Sequence, residues 1–271
     1  MSEIFDRFKL AAIDLDGTLL GPDHRISEAN ALAVRRLQSA GTQVVLASGR
    51  HFNSMRKYTD ALPGMQWVIS CQGGEVSDVT RTTVLSRTFM PTAEVGRTLE
   101  LGRALGFATV AYGVEEVFTD AESDRETDYY TELAGLRPDK VSRSELLAQN
   151  IFKVIWMGDP ATYEKTSLED VASPQVQVIR TNERFLEFMP AEASKGSALA
   201  TLAAHLGIQP AEAVVFGDGD NDVPMFAWAG LSVAMPHGWP LALAQAKLIA
   251  PDGPAKTALA RAVALVLKGG S

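Results

Sequence analysis

Two aspartates stand one residue apart at the end of a short apolar run near the start of the chain. The segment reads Lys9-Leu10-Ala11-Ala12-Ile13-Asp14-Leu15-Asp16-Gly17-Thr18-Leu19-Leu20. An apolar run closed by a turn signal predicts a buried strand, on which residues two apart face the same way unless the chain turns sharply. Paired carboxylates repel each other and lose hydration, which suits a cation site, acid–base chemistry, or a nucleophile with its proton donor. The alternative is a loop that happens to be acidic.

A second acidic strand end lies far along the chain. The apolar run 213–216 is followed by Gly217 and then by Asp218, Asp220 and Asp222. If both runs are strands of one parallel sheet, their carboxyl ends meet at the same edge. Carboxylate oxygens are hard ligands that suit Mg²⁺, which often shares a substrate phosphate. The four histidines are scattered, and no His/Cys cluster has zinc spacing.

Other polar residues at strand ends and helix starts suit phosphoryl transfer. Ser48 offers a hydroxyl, and Gly49 allows its backbone N–H to approach an oxyanion. Lys195 could neutralise a phosphate and the surrounding carboxylates. Taken singly, Ser48 could be an ordinary helix cap and Lys195 a solvated lysine. Neither a P-loop nor a dinucleotide fingerprint is present, since Gly217-Asp218-Gly219 lacks the further glycine and the lysine.

The order of strand and helix patterns predicts an α/β fold interrupted by an insertion. The expected core strands are 9–15, 44–47, 67–70, 213–216, 231–234 and 247–249, and the expected core helices are 27–40, 51–60, 194–206, one from about 222, and 254–268. Short loops and continuous apolar strands favour a parallel sheet with helices on both faces. Its polar strand ends, at Asp14, Ser48 and Gln72 among others, would line one edge.

The middle of the chain has a different pattern, in which strands pair with helices without strict alternation. This predicts a separate α+β module of a size that can hold its own core. We expect a discontinuous core of residues 1–82 and 186–271, with the inserted module at 83–185.

Composition limits the possible partners and locations. The 271 residues hold 25 Lys and Arg against 33 Asp and Glu, a net charge of −8, which argues against nucleic acid. The single cysteine, Cys71, cannot form an internal disulfide and fits a reducing cytoplasm. No apolar stretch is long enough for a membrane span, and the charged N-terminus does not resemble a signal peptide.

Taken together, these residues resemble the haloacid dehalogenase (HAD) superfamily. Asp14-Leu15-Asp16-Gly17-Thr18, Ala47-Ser48-Gly49-Arg50, Ser194-Lys195-Gly196 and Gly217-Asp218-Gly219-Asp220-Asn221-Asp222 look like its four motifs in order. The insertion between the second and third motifs resembles the type C2B cap of the Cof-like, subfamily IIB sugar phosphatases. The resemblance therefore implies a Rossmann-like core with an α+β cap domain. At 72–74 this chain has Gln-Gly-Gly where relatives usually carry Asn-Gly-Ala.

The resemblance also implies a role for each motif residue. Asp14 would be the nucleophile and Asp16 the general acid and then base. Mg²⁺ would be held by Asp14, the Asp16 backbone carbonyl and Asp218, with Asp222 holding water ligands or Lys195. The phosphate would be bound by Thr18, Ser48, Gly49, Lys195 and Asn221, and Arg50 either contacts substrate or pairs with a surface acid.

The activity implied is that of a Mg²⁺-dependent phosphatase acting on a small phosphorylated metabolite, such as a sugar phosphate, through an aspartyl-phosphate. One alternative is a phosphomutase or phosphotransferase of the same superfamily, in which a second sugar replaces water as acceptor. Another is a non-catalytic protein that binds phosphorylated ligands. The sequence does not distinguish a monomer from a homodimer.

Overall fold

The computed structural model describes residues 8–120, 124–163 and 166–268, which fall into two compact units. The first unit comprises the described residues of Met1–Gly49, Arg56–Ser86 and Ser194–Ser271. The second comprises those of Arg50–Met55 and Arg87–Ala193.

Strands and helices alternate through much of the described chain. The strands are β1 Leu10–Ile13, β2 Gln43–Ala47, β3 Trp67–Ser70, β4 Glu75–Asp78, β5 Val84–Arg87, β6 Ala108–Tyr112, β7 Val117–Thr119, β8 Asp139–Lys140, β9 Lys153–Met157, β10 Val176–Asn182, β11 Phe185–Pro190, β12 Ala213–Gly217, β13 Leu231–Ala234 and β14 Leu248–Ile249. The helices are α1 Glu28–Ser39, α2 Phe52–Asp60, α3 Thr92–Ala104, α4 Asp124–Ala134, α5 Arg143–Leu147, α6 Pro160–Tyr163, α7 Leu168–Val171, α8 Lys195–Leu206, α9 Val223–Trp228, α10 Pro240–Gln245 and α11 Ala258–Lys268. Short 3₁₀ turns precede or follow several of them.

The first unit is built on a sheet of strand order β14-β13-β12-β1-β2-β3-β4-β5. Strands β14 to β3 in this order run parallel, and β4 turns back antiparallel to β3. The central strand β1 pairs with β12 on one side and β2 on the other, so these carboxyl ends meet at one edge.

Both faces of this sheet are covered. Helices α8, α9 and α10 contribute to an apolar cluster with one face of the central strands, including Leu10 and Val45. The alternate residues Ala11 and Ile13 are fully buried as well, and α1 packs against β2 and α11. Burial on both sides explains why these strands are continuous apolar runs rather than alternating ones.

Capping residues set the ends of the helices that position the site. The Ser27 hydroxyl accepts a hydrogen bond from the Asn30 N–H at the start of α1. Ser194 caps α8 in the same way, accepting from the Ser197 N–H at 3.0 Å. Gly207 ends α8 in the left-handed conformation, with φ of 68°, where a glycine carries no side-chain penalty.

The second unit is an α+β module. Its sheet has strand order β10-β11-β9-β6-β7-β8 and is antiparallel except for the β7–β8 pair. Trp156 and Phe188 lie in an apolar cluster with residues of α3, on one face of this sheet. The predicted combination of an α/β core and an α+β insertion is confirmed.

The structure corrects both predicted boundaries of the inserted module. We expected the module to begin at residue 83, but β5 belongs to the first sheet and the first unit continues to Ser86. We expected the core to resume at residue 186, but β11 pairs with β9 and β10 in the second sheet, and the first unit resumes at Ser194. Helix α4 was not predicted, because its sequence is acidic and polar. Helices α6 and α7 are short, and residues 164 and 165 between them lie outside the described part. Among the described residues, no helix is long and apolar enough to span a membrane.

Candidate active site

The acidic strand ends predicted from sequence come together at the carboxyl edge of the first sheet. Asp14 follows β1, and Asp218 follows the neighbouring strand β12, with Asp222 one turn further on. Carboxylate oxygens of these three residues all lie within 4.8 Å of one another. Asp14 and Asp222 are buried, while Asp218 is partly exposed. Such a cluster of hard oxygen donors fits a divalent cation.

Lys195 places a positive charge inside this cluster. It is the first residue of α8, and its side chain is fully buried. Its Nζ lies 2.5 Å from Asp14 Oδ1 and 2.6 Å from Asp222 Oδ1, so it bridges two carboxylates. A buried ammonium is tolerated only with such partners. The Ser194 cap fixes the start of the helix and therefore the position of this side chain.

Asp222 organises the loop between β12 and α9. Its Oδ1 accepts from Lys195, and its Oδ2 accepts from the backbone N–H groups of Asp218, at 2.8 Å, and Gly219, at 3.0 Å. Both oxygens of this fully buried carboxylate are therefore engaged. Asp222 thus contacts Lys195 directly. The roles predicted for it, holding Lys195 or metal-bound water in place, stay predictions.

Burial and crowding shift the acidity of the cluster. Burial raises the pKa of Asp14 well above its usual range; Lys195 opposes this effect, and the nearby Asp222 and Asp218 carboxylates add to it. Burial, with Asp222 beside it, raises the pKa of Asp218 to about 7. Burial alone would lower the pKa of Lys195, but Asp14 and Asp222 outweigh it and raise the pKa. When ionised, these three carboxylates carry more negative charge than the single positive charge of Lys195 can neutralise. A divalent cation would neutralise the remainder.

Asp14 and Asp16 have different surroundings, although strand periodicity alone would align them. Strand β1 ends at Ile13, and the chain turns at Gly17, whose φ is +83°. The Asp16 side chain is 43% exposed, with one oxygen 3.5 Å from His24 Nδ1. It is not part of the buried carboxylate cluster. The two aspartates are therefore placed to do different work, and the role of the Asp16 carbonyl toward a metal stays a prediction.

The turn at Gly17 presses against Asp218. A Cβ added to Gly17 would lie 2.2 Å from Asp218 Oδ2, so a larger residue here would displace the Asp218 carboxylate. The neighbouring Thr18 is fully buried and donates its hydroxyl hydrogen to Asp218 Oδ1 at 2.9 Å. The side chain of Thr18 therefore orients Asp218, and its predicted contact with phosphate stays a prediction.

The remaining predicted phosphate-binding residues lie on neighbouring loops of the first unit. Ser48 follows β2 and is buried, with its backbone N–H donating to the Ile69 carbonyl of β3. Asn221 lies in the 3₁₀ turn Asp220–Asp222, and its Nδ2 donates to Gln72 Oε1 at 3.1 Å. Gly49 follows Ser48 in the loop after β2.

Arg50 belongs to the second unit. Its Nη1 donates to the carbonyl oxygens of Leu133, at 3.2 Å, and Ala134, at 3.5 Å, the last two residues of α4. A cation at the carbonyl end of a helix is favourable. Arg50 is only 8% exposed, and its pairing with a surface acid stays a prediction. Its contact with substrate stays a prediction.

Two residues near the carboxylates were not assigned from the sequence. Gln72 was placed at the polar edge without a role, and the structure shows it as the partner of Asn221. His237 is one of the four scattered histidines, and its Nε2 lies 2.7 Å from the Gly17 carbonyl oxygen. Neither contact has a local sequence signal, since both join segments far apart in the chain.

Comparison with known proteins gives consistent matches along the chain. The family model of haloacid dehalogenase-like hydrolases matches residues 11–263. An HMP-PP phosphatase of Cronobacter sakazakii is 28% identical over 240 residues, covering 88% of this chain and 87% of that protein. The structure of a haloacid dehalogenase-like hydrolase from Bacteroides thetaiotaomicron has a TM-score of 0.84 at 24% identity, covering 96% of this chain and 99% of the other. The HAD subclass IIB sugar phosphatase BT4131 has a TM-score of 0.82 at 19% identity, covering 94% and 98%.

Proposed function

Because the chain belongs to the haloacid dehalogenase-like hydrolases, as its motifs indicated, we propose that it is a Mg²⁺-dependent phosphatase of small phosphorylated metabolites. The observation that carries this proposal is the buried arrangement of Asp14, Lys195 and Asp222 with Asp218 beside it. Three separate segments supply these residues to one sheet edge, since Asp218 and Asp222 share the loop after β12. Phosphoryl transfer requires both their charges and their closeness.

Asp14 is the proposed nucleophile. One carboxylate oxygen forms a bond to phosphorus while the bond from phosphorus to the substrate alcohol oxygen breaks, giving an aspartyl-phosphate. The 2.5 Å contact from Lys195 to Asp14 Oδ1 fixes the carboxylate and leaves Oδ2 as the attacking atom. Water then attacks the phosphorus, phosphate departs, and the Asp14 carboxylate is regenerated.

Asp16 is the proposed proton carrier. It gives its proton to the leaving alcohol oxygen in the first step and takes one from the attacking water in the second. Its exposed position, outside the buried cluster, supports this assignment because a proton carrier must exchange with substrate and solvent. The 3.5 Å approach of His24 places a second titratable group next to it.

The bound Mg²⁺ would neutralise charge on the carboxylates and on the transferred phosphoryl group. We assign its protein ligands to Asp14, the Asp16 carbonyl and Asp218, with Asp222 acting through water. The raised pKa values of Asp14 and Asp218 support this, since a cation would favour their ionised forms. Thr18 would hold Asp218 in its ligand orientation.

Phosphate oxygens would be bound by Ser48, the Gly49 N–H, Lys195 and Asn221. We place the substrate among small phosphorylated metabolites, such as sugar phosphates. The likeness to an HMP-PP phosphatase and the fold shared with a sugar phosphatase support this class. A cytoplasmic location is proposed because the single cysteine, Cys71, cannot form an internal disulfide, which fits a reducing compartment.

The test is a turnover screen of the purified full chain over phosphorylated sugars, glycolytic acids, nucleotides and vitamin phosphates. We expect phosphate release in Mg²⁺ for one class, and its loss on chelation. Conversion of a hexose 1-phosphate to the 6-phosphate without free phosphate would instead indicate a mutase. Ligand binding without turnover for any compound would overturn the proposal of an enzyme.

A further inference from the structure

The loop that follows β3 has an uncommon backbone. Cys71, Gln72 and Gly73 adopt positive φ in succession, at 54°, 60° and 93°. Residues other than glycine seldom do so, and among them asparagine tolerates the left-handed region best. Gln72 is therefore in a conformation that costs free energy, and it is buried, with only 3% exposed. Side chains kept under such strain often serve a site.

The same loop contacts the other segments of the carboxyl edge within the first unit. The Gln72 backbone N–H donates to the Ser48 carbonyl oxygen at 3.0 Å. Gly73 lies directly against the cap of α8, since a Cβ added there would be 2.1 Å from the Ser194 carbonyl oxygen. The loop is thus fixed against both the Ser48–Gly49 segment and the start of the helix that carries Lys195.

The Gln72 side chain extends this contact to two proposed phosphate-binding groups. Its Oε1 accepts from Asn221 Nδ2 at 3.1 Å, although the residues are 149 positions apart. The Gln72 side-chain amide also packs against Gly49, because a Cβ added to Gly49 would be 2.5 Å from Gln72 Nε2. One side chain therefore determines the orientation of the Asn221 amide and limits the space around the Gly49 backbone.

We propose that Gln72 is a positioning residue for phosphate binding, which holds Asn221 and Gly49 in the arrangement that receives the phosphate oxygens. The proposal rests on the proposed phosphatase function for the identity of the ligand. The length of the side chain is essential to it. Asparagine would relieve the left-handed strain and keep the amide, but it is one methylene shorter and would not reach Asn221 from this backbone.

The experiment compares the wild-type chain with Gln72→Asn, Asn221→Ala and the double variant. Gln38→Asn is a matched control, since it makes the same chemical change in α1, where Gln38 Nε2 donates to the Pro63 carbonyl. The readouts are binding of inorganic phosphate by calorimetry in Mg²⁺, the thermal midpoint, and kcat and KM on the best substrate.

We expect Gln72→Asn to weaken phosphate binding and kcat/KM about tenfold, the size of one lost buried hydrogen bond. The thermal midpoint should stay equal or rise, because asparagine is better tolerated at this backbone. In the Asn221→Ala background the same change should cost less than about twofold, since Gln72 acts through Asn221. Gln38→Asn should leave phosphate binding unchanged.

Equal losses in both backgrounds, or a lowered midpoint with unchanged phosphate binding, would overturn the proposal and show a structural role. These outcomes are separate from failure of the proposed function. A wild-type chain that binds phosphate in Mg²⁺ but hydrolyses nothing contradicts the phosphatase and still allows the coupling of Gln72 and Asn221 to be measured.

Discussion

Lys195 Nζ lies 2.5 Å from Asp14 Oδ1, although the two residues are 181 positions apart in the chain. Strand β1 and the cap of α8 bring them together, and both side chains are buried. The lysine also contacts Asp222, so one cation is shared by two carboxylates. The first unit thus holds a buried charge pair of the kind that phosphoryl transfer needs.

Replacing Lys195 should harm both stability and activity. In Lys195→Met, Asp14 and Asp222 stay buried without their cation, and loss of one partner of a buried pair costs about 3–5 kcal/mol. We expect a lower free energy of unfolding by urea in metal-free buffer and loss of turnover. Added Mg²⁺ should restore part of the stability but no turnover. An unchanged unfolding free energy in metal-free buffer would contradict the buried charge pair.

Asp222→Asn should weaken metal binding without touching the nucleophile. Asparagine keeps the shape, but its amide group cannot accept the two backbone N–H bonds of Asp218 and Gly219 while also pairing with Lys195. Loss of such an outer partner lowers metal affinity by about 10–100-fold. Calorimetric titration with Mg²⁺ measures this directly, and an unchanged dissociation constant would show that Asp222 does not organise the site.

Gly17→Ala should disturb Asp218 more than backbone strain alone explains. The added Cβ would lie 2.2 Å from Asp218 Oδ2, at a φ of +83°. Gly41 offers a matched control, because its φ is +82° and nothing lies within 4 Å of its added Cβ. Both variants carry the strain of alanine in the left-handed region, about 1–2 kcal/mol.

The difference between these two glycine variants therefore measures the contact with Asp218. We expect Gly17→Ala to lose Mg²⁺ affinity and turnover as well as stability, whereas Gly41→Ala loses stability only. Thermal unfolding with and without Mg²⁺ checks this. Equal responses of the two variants to Mg²⁺ would contradict the close packing of Gly17 on Asp218.

Mg²⁺ binding should strengthen as pH rises toward and through neutrality. Burial raises the pKa of Asp218 to about 7 in the metal-free protein, so below that pH the metal must displace a proton. Each unit of pH below 7 should then lower the affinity by about tenfold for one displaced proton. Asp14, whose pKa is also raised, adds to the effect.

The same raised pKa of Asp218 predicts that the stability of the metal-free protein falls as pH rises. The pKa of Asp218 is raised from 3.8, so its contribution to stability is complete below 3.8 and is lost as pH rises toward 7. The increase in thermal midpoint caused by Mg²⁺ should consequently be larger at about pH 8 than at about pH 6. A midpoint increase independent of pH would show that Asp218 is already ionised without metal.

Much of this site was predictable because its residues stand at the ends of strongly patterned elements. The Ser27 and Ser194 caps and the Gly207 helix end all follow local rules, and the parallel sheet brings Asp14 and Asp218 together. In the second unit, away from the site, the start of helix α5 also has a local sequence signal, since Ser142 and Glu145 form a capping box.

Other features depend on contacts between distant segments. The pairing of β11 with β9 moved the core boundary from 186 to 194, because alternation within a strand does not show which sheet it joins. The left-handed backbone at Gln72 has no sequence signal in a residue other than glycine or asparagine, and it exists because Ser48, Ser194 and Asn221 surround it.

The most direct test of the proposed chemistry is to locate the phosphoryl group on the enzyme during turnover. The full chain is mixed with its best substrate in Mg²⁺, quenched in acid, digested and analysed by mass spectrometry. We predict one phosphoryl group on the peptide that contains Asp14, and none on that peptide in Asp14→Asn. Turnover without a phosphorylated peptide, or with the phosphoryl group on another residue, would contradict nucleophilic catalysis by Asp14.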